Sequence, residues 1–145
     1  MQTNCDIKRI ITYFKSRKEV SALYLFGSCA EGRELPESDL DIAVLIDEKK
    51  LQRKNFEQLK NIYYKASPSF SLRQVDITVL NIASPYLNHR VIKTGKMLFD
   101  RNRKLRVRFM TDAIIEYLDF KPIEDIFNKS VASRFRNKSL STVTH

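Results

Sequence analysis

The sequence predicts a mixed α/β domain, a small twisted sheet with flanking helices packed mainly on one face. Short apolar runs rich in β-formers, such as residues 20–26 (VSALYLF), predict strands. Segments with apolar residues at three- and four-residue spacing lie between them and predict helices. A chain of 145 residues, 43% of them hydrophobic, is long enough to bury one core without disulfides.

Predicted helices and strands follow one another along the chain, with turn residues between them. We expect one domain over residues 1–131, ending in C-terminal helices, and a flexible tail over residues 132–145, where polar and basic residues lack apolar periodicity. The predicted order is a helix around Ile7–Phe14, a strand over 20–26, a strand from Asp39, a helix over 51–66 before the turn-rich 67–71, a strand over 73–80, a helix from Ser84 to Gly95, a short strand over 97–99, a long helix ending before Pro122, and a last helix from Ile123.

Composition narrows the class of function. The chain has 26 Lys and Arg residues against 17 Asp and Glu, a net charge of +9, which favours a polyanionic partner such as nucleic acid, a nucleoside triphosphate or an acidic protein surface. No apolar run approaches the roughly 20 residues that span a bilayer, and the N-terminus has no apolar signal core. Cys5 and Cys29 form no metal or redox pair. We therefore expect a cytoplasmic protein.

Three aspartates are the strongest candidates for chemistry. Asp39 and Asp41 are two residues apart at a predicted strand start, so their side chains point the same way, with Cα atoms about 6.5 Å apart. Asp76 alternates with apolar residues in a later strand. Carboxylate oxygens are the ligands that Mg²⁺ prefers, and two-metal nucleotidyl transfer requires ions about 4 Å apart. The pattern predicts an acidic metal site.

The turn Gly27-Ser28 directly follows the first predicted strand. Its backbone N–H groups and one hydroxyl can bind phosphate oxygens, and Gly27 permits a close approach. Taken alone, an Asp-x-Asp sequence is typical of a solvated loop edge, and Asp76 alone is typical of an exposed strand residue. The Gly-Ser turn at this spacing, between two strand-like runs, favours a nucleotide site.

These motifs resemble a known superfamily. The segment LYLFGSCAEGRELPESDLDIAVLI resembles the nucleotidyltransferases related to DNA polymerase β, and QVDITVL resembles their third-carboxylate strand. In size and layout the chain is similar to the minimal nucleotidyltransferase (MNT) branch, antitoxins paired with helical HEPN toxins. The resemblance implies the nucleotidyltransferase fold, two Mg²⁺ ions, ATP as substrate, and transfer of AMP to a hydroxyl, that of a tyrosine, on a partner HEPN toxin.

The same resemblance implies roles for six residues. Many relatives carry arginines inside the Gly-Ser turn, whereas this chain has Cys29 and Glu31 there. The implied roles are nucleotide binding by Gly27, Ser28 and Arg33, and catalysis and metal binding by Asp39, Asp41 and Asp76, the last also activating the incoming hydroxyl.

A basic stretch follows position 100. Two alternatives to a partner-docking surface stay open: a solvated helix face, and the phosphates of nucleic acid. The nucleic-acid alternative is not favoured, because no interleaved aromatics or RNA-binding motif accompany the charges. We predict that the partner toxin docks on the helix carrying Arg101, Arg103, Lys104, Arg106 and Arg108.

Two alternatives to toxin adenylylation remain. The chain can act mainly by forming a complex with its partner, with little catalysis. It can also be a nucleotidyltransferase acting on a nucleic acid or a small molecule, although the 45 residues after position 100 leave little room for a substrate-recognition domain.

Overall fold

The computed structural model describes residues 2–27, 30, 32 and 39–143, which form a sheet with helices around it. The elements are α1 (Gln2–Lys15), β1 (Val20–Phe26), β2 (Leu40–Ile46), α2 (Phe56–Phe70), β3 (Val75–Val79), α3 (Pro85–Thr94), β4 (Lys96–Asp100) and α4 (Arg103–Val143). The strand order is β3-β2-β1-β4. β1 is antiparallel to β2 and β4, whereas β2 is parallel to β3. This mixed sheet confirms the predicted fold class.

Helices cover both faces of the sheet. One face packs against α1 and α2 around Phe14, Tyr63 and Phe70, and the other packs against α3 and α4, which contribute Val91 and Leu105. The prediction that the helices lie mainly on one face is wrong. Helices are needed on both faces because β1 and β2 have nearly unbroken apolar runs. Both strands are buried on both sides, as expected for central strands of a sheet covered on its two faces.

Two prolines lie inside helices where the sequence predicted breaks. The turn expected at 67–71 is wrong because α2 continues through Pro68 to Phe70. Proline removes one amide donor but has a helical φ, and the lost bond is offset by burial of Phe70, which stacks on Tyr13. The helix end expected before Pro122 is also wrong, since α4 continues through it.

The last helix is much longer than predicted. α4 has 41 residues, which corresponds to about 60 Å at 1.5 Å per residue. Its helical backbone extends to Val143, through residues for which we expected a tail without regular structure. Each residue added to an existing helix gains one backbone hydrogen bond, which favours extension even through polar residues. The domain boundary at 131 and the flexibility of the residues beyond it stay predictions. In the described part of the chain, no helix combines the length and apolar character needed to cross a membrane.

Arg101 connects the start of α4 to the end of α1. Its guanidinium donates hydrogen bonds to the carbonyl oxygens of Lys15 (2.6 Å), Arg17 (3.2 Å) and Lys18 (3.3 Å). Lys15 is the last residue of α1, and Arg17 and Lys18 follow it, so these carbonyls lie at the negative end of the helix dipole, where a cation is favourable.

We predict that Arg101→Ala lowers the free energy of unfolding by about 1 kcal/mol, because three carbonyl oxygens lose a charged donor. Chemical denaturation with urea measures the change. The control is Arg103→Ala, which removes an exposed arginine near the start of α4 and should change stability by less than about 0.5 kcal/mol. Equal losses in both variants would contradict the bridging role of Arg101.

Candidate active site

Three strand ends meet at one edge of the sheet. β1 is antiparallel to β2, which places Phe26 opposite Asp41, and β2 is parallel to β3, which places Asp41 beside Asp76. Neighbouring strands lie about 4.8 Å apart. Asp39 immediately precedes β2 at the same edge. Chain topology therefore gathers the end of β1 and the starts of β2 and β3, together with their polar residues.

The aspartates of β2 and β3 face the side of the sheet covered by α3 and α4. Leu40 and Ile42 belong to the core on the α1 and α2 side, and because side chains alternate along a strand, Asp41 between them points to the opposite side. Asp76 lies between Val75 and Ile77 of that same core, so the same rule applies. Asp41 is half-buried and Asp76 is exposed. Both carboxylates therefore share one open edge.

Gly27 lies directly against Asp41. Its φ of +75° is in the left-handed region that favours glycine. A Cβ atom at this position would overlap the Asp41 carboxylate. Gly27 is therefore required because a larger residue would collide with Asp41 on β2, whether or not a ligand approaches the turn.

The carboxyl group of Asp41 has a raised pKa. Burial raises its pKa, and the negative charge of Asp76 raises it further. The positive charge of Arg90 on α3 lowers this pKa, and the charge of Asp39 raises it. The edge of the sheet therefore concentrates negative charge that a cation would neutralise.

Two residues near the site were missed by reasoning from the sequence. Arg90 supplies positive charge to Asp41 from α3. Tyr64 of α2 donates a hydrogen bond from its hydroxyl to Asp76 Oδ1 at 2.9 Å. Burial raises the pKa of Tyr64, which keeps this hydroxyl a donor. Helical spacing places each residue on its helix, but no sequence signal indicates which strand the side chain reaches.

Some predicted site residues lie outside the described part of the chain. They are Ser28 and Arg33, predicted to bind nucleotide, and Cys29 and Glu31 of the same turn. Within residues 2–27, 30, 32 and 39–143, no three His, Cys, Asp or Glu side chains converge as a ready-made metal site. The strands bring Asp41 and Asp76 together, and the metal-binding and catalytic roles of the three aspartates stay predictions.

Comparison with protein families shows which family the chain belongs to. The family described as "Polymerase beta, Nucleotidyltransferase" matches residues 8–104, which include the Gly27 turn, Asp39, Asp41 and Asp76. The chain belongs to this family. It is a nucleotidyltransferase, as the motifs predicted. A search of functionally curated proteins found no match.

Two solved structures similar to this nucleotidyltransferase are toxin–antitoxin complexes. One is a crystal structure of a toxin–antitoxin pair with AMP-PNP, 26% identical, with a TM-score of 0.69, covering 87% of this chain and 98% of that chain. Another is a tri-AMPylated HEPN toxin from Shewanella oneidensis in complex with MNT antitoxin, 25% identical, with a TM-score of 0.65, covering 91% and 99%. The predicted resemblance to MNT antitoxins is confirmed.

We predict that Gly27→Ala destabilises the nucleotidyltransferase more than Gly32→Ala does. Both glycines have positive φ (75° and 72°), so both substitutions add backbone strain of about 1 kcal/mol. The new methyl group meets the Asp41 carboxylate at Gly27, whereas at Gly32 no atom of the described residues lies within 4 Å of a Cβ. Thermal unfolding of both variants measures the difference. Equal shifts in the midpoint would show that the Gly27–Asp41 contact is unimportant.

Proposed function

We propose that this nucleotidyltransferase is an antitoxin that transfers AMP from MgATP to a tyrosine hydroxyl of a partner HEPN toxin in the cytoplasm and so neutralises it. The main support for this proposal is the register of β2 and β3, which places Asp41 beside Asp76 at the sheet edge, next to Gly27. Two similar structures support the substrates: one contains AMP-PNP and another an AMPylated HEPN toxin with its MNT antitoxin.

The donor set at the edge fits magnesium. Asp39, Asp41 and Asp76 offer hard carboxylate oxygens, and the raised pKa of Asp41 reflects unfavourable negative charge that a bound cation relieves. These three residues would hold Mg²⁺. When bound, the ions neutralise charge on the triphosphate and increase the reactivity of the acceptor hydroxyl.

The remaining chemistry belongs to the chain's own residues. Gly27 and Ser28 hold the triphosphate, with Arg33 beyond them. Asp76 receives the proton of the acceptor hydroxyl. The hydroxyl oxygen then bonds to the α-phosphorus of ATP, and the bond from that phosphorus to the pyrophosphate oxygen breaks. The products are the AMP-modified toxin and pyrophosphate.

We predict that Asp39→Asn combined with Asp41→Asn abolishes transfer while leaving the fold intact, because two metal-binding charges disappear at nearly constant volume. Intact mass of the toxin after incubation with MgATP measures transfer. The matched control, Asp47→Asn with Glu48→Gln, makes the same charge change just after the opposite end of β2 and should leave transfer unchanged.

The same double variant distinguishes neutralisation by AMP transfer from neutralisation by complex formation alone. If the double site variant still neutralises the toxin as completely as the unaltered chain, complex formation without transfer is the mechanism. If it transfers AMP at the normal rate, the assignment of Asp39 and Asp41 is wrong.

The proposed docking surface for the toxin is the start of α4, with a smaller set of charges than the sequence suggested. Arg101 binds carbonyls at the end of α1, and Arg106 forms an ion pair with Asp100 at 2.5 Å. Both therefore have structural roles within the domain. The exposed charges left for a partner are those of Arg103, Lys104 and Arg108.

Exposed apolar side chains also occur along α4, on several sides of the helix. Tyr117 stacks on His89 of α3 with ring centroids 3.7 Å apart, which holds one side of the helix against the domain. Large apolar side chains exposed in such number on one helix are typical of a protein interface. The exposed members are Val107, Ile114, Ile115, Leu118, Phe120, Ile123, Ile126 and Phe127.

The charge pattern of α4 favours a different protein over a second copy of this chain. The segment 103–108 is basic, 112–125 carries five acidic residues and one lysine, and 129–138 carries four basic residues and no acidic ones. Antiparallel pairing centred on the acidic segment, like parallel pairing in register, places like charges together. A partner with acidic groups facing the basic segments is complementary.

We predict that reversing Arg103, Lys104 and Arg108 to Glu slows toxin binding about 10-fold at low salt, with ATP binding unchanged. Opposite charges steer association, and salt screens them over about 8 Å at physiological ionic strength. The matched control reverses Lys8, Arg9 and Lys65, which are exposed on α1 and α2, the helices that cover the opposite face of the sheet. Stopped-flow association across a salt series measures the rates. Equal rates for the two triple variants would exclude docking at the start of α4.

A further inference from the structure

Tyr64 reaches the active-site edge from the opposite face of the sheet. It lies on α2, next to the buried Tyr63, and α2 covers the core face away from α3 and α4. Among the described residues, β3 is an edge strand that pairs with β2 and with no other strand. The Tyr64 side chain extends to the side of β3 away from β2, where its hydroxyl meets the Ile77 backbone.

Its hydroxyl joins the backbone of β3 to Asp76. Tyr64 Oη accepts a hydrogen bond from the Ile77 N–H at 2.8 Å and lies 3.3 Å from the Ile77 carbonyl oxygen. It donates to Asp76 Oδ1 at 2.9 Å. A hydroxyl has one proton and two lone pairs, so it can accept from the amide and donate to the carboxylate simultaneously.

This arrangement restricts an otherwise exposed side chain. Asp76 is exposed, and within the described residues its carboxylate has no hydrogen bond besides the one from Tyr64. The Ile77 amide fixes the position of the Tyr64 oxygen, which in turn fixes one carboxylate oxygen of Asp76. A carboxylate held in this way has its orientation set before any ligand binds.

We propose that Tyr64 is a positioning residue, which holds the Asp76 carboxylate in the orientation that divalent-ion binding and AMP transfer require. The inference rests on the role of Asp76 in the proposed function. In this role Tyr64 acts through its hydrogen bond to Asp76. A competing explanation is that Tyr64 simply covers the open backbone of β3, in which case its loss affects stability alone.

The test is Tyr64→Phe, which removes one oxygen. We expect kcat for AMP transfer to fall roughly 10- to 100-fold, the range typical when a partner of a metal ligand is lost, with KM for ATP changed less than about 2-fold because the phosphate-binding turn is untouched. Mn²⁺ affinity without nucleotide, measured by calorimetry, should fall in parallel. A purely structural role would lower thermal stability and leave ion affinity unchanged, and that result would overturn the proposal.

Tyr63→Phe is the matched control. Tyr63 is the adjacent residue on α2, and its hydroxyl likewise donates to a carboxylate, Glu19, at 3.0 Å, but Glu19 precedes β1 at the other end of the sheet. This variant also loses one hydroxyl–carboxylate bond. We expect it to retain kcat and Mn²⁺ affinity. If both variants lose Mn²⁺ affinity equally, a general loosening of α2 is responsible and the proposal fails.

A double-mutant cycle with Asp76→Asn shows whether Tyr64 acts through Asp76. In the Asp76→Asn background, Tyr64→Phe should cause no further loss of Mn²⁺ affinity, whereas equal losses in both backgrounds would overturn the proposal. The unaltered protein provides a measurement that needs no variant: Mg²⁺ alone should shift the NMR signals of the Ile77 amide and the Tyr64 ring, and unshifted signals would count against it. An unaltered chain that binds Mn²⁺ but transfers no AMP refutes the proposed function, and the ion affinities still decide the role of Tyr64.

Discussion

Burial of β2 on both faces is the constraint on which the rest of the structure depends. A strand covered by α1 and α2 on one side and by α3 and α4 on the other can carry charged groups only at its ends, where solvent reaches them. Asp39 and Asp41 lie at one such end. The parallel partner β3 starts at the same edge and adds Asp76, so the requirement for a dry core also determines where the acidic site forms.

The close contacts at this edge have a cost in stability. Asp41 lies against Gly27 and beside Asp76, and burial together with neighbouring negative charge raises its pKa. Such crowding opposes folding of the metal-free chain, because the ionised carboxylate is better solvated in the unfolded state. An arrangement of this kind is common where charge has been concentrated for a ligand. The positive charge of Arg90 on α3 partly offsets this unfavourable charge, and Tyr64 on α2 donates a hydrogen bond to Asp76.

The proposed docking surface and the proposed catalytic edge occupy different parts of the molecule. The acidic edge is built from strand ends within a packed domain, whereas α4 presents exposed apolar and basic side chains along a single helix. Contacts of Arg101 and Arg106 hold the beginning of α4 against the domain. A partner bound along α4 is therefore held at a defined position relative to the acidic edge, and its contacts need not disturb the carboxylates.

The strands, the Gly27 turn and the place of Asp41 on a strand could be predicted from the sequence alone, because alternation and turn chemistry are local properties. The same motifs indicated the family. The remaining features depend on tertiary packing. Pro68 lies within α2, since Phe70 is buried in a core that the sequence does not display. Arg90 and Tyr64, the neighbours of Asp41 and Asp76, lie on the helices that follow and precede β3 in the chain, and only the packing of those helices on the sheet brings them to the site.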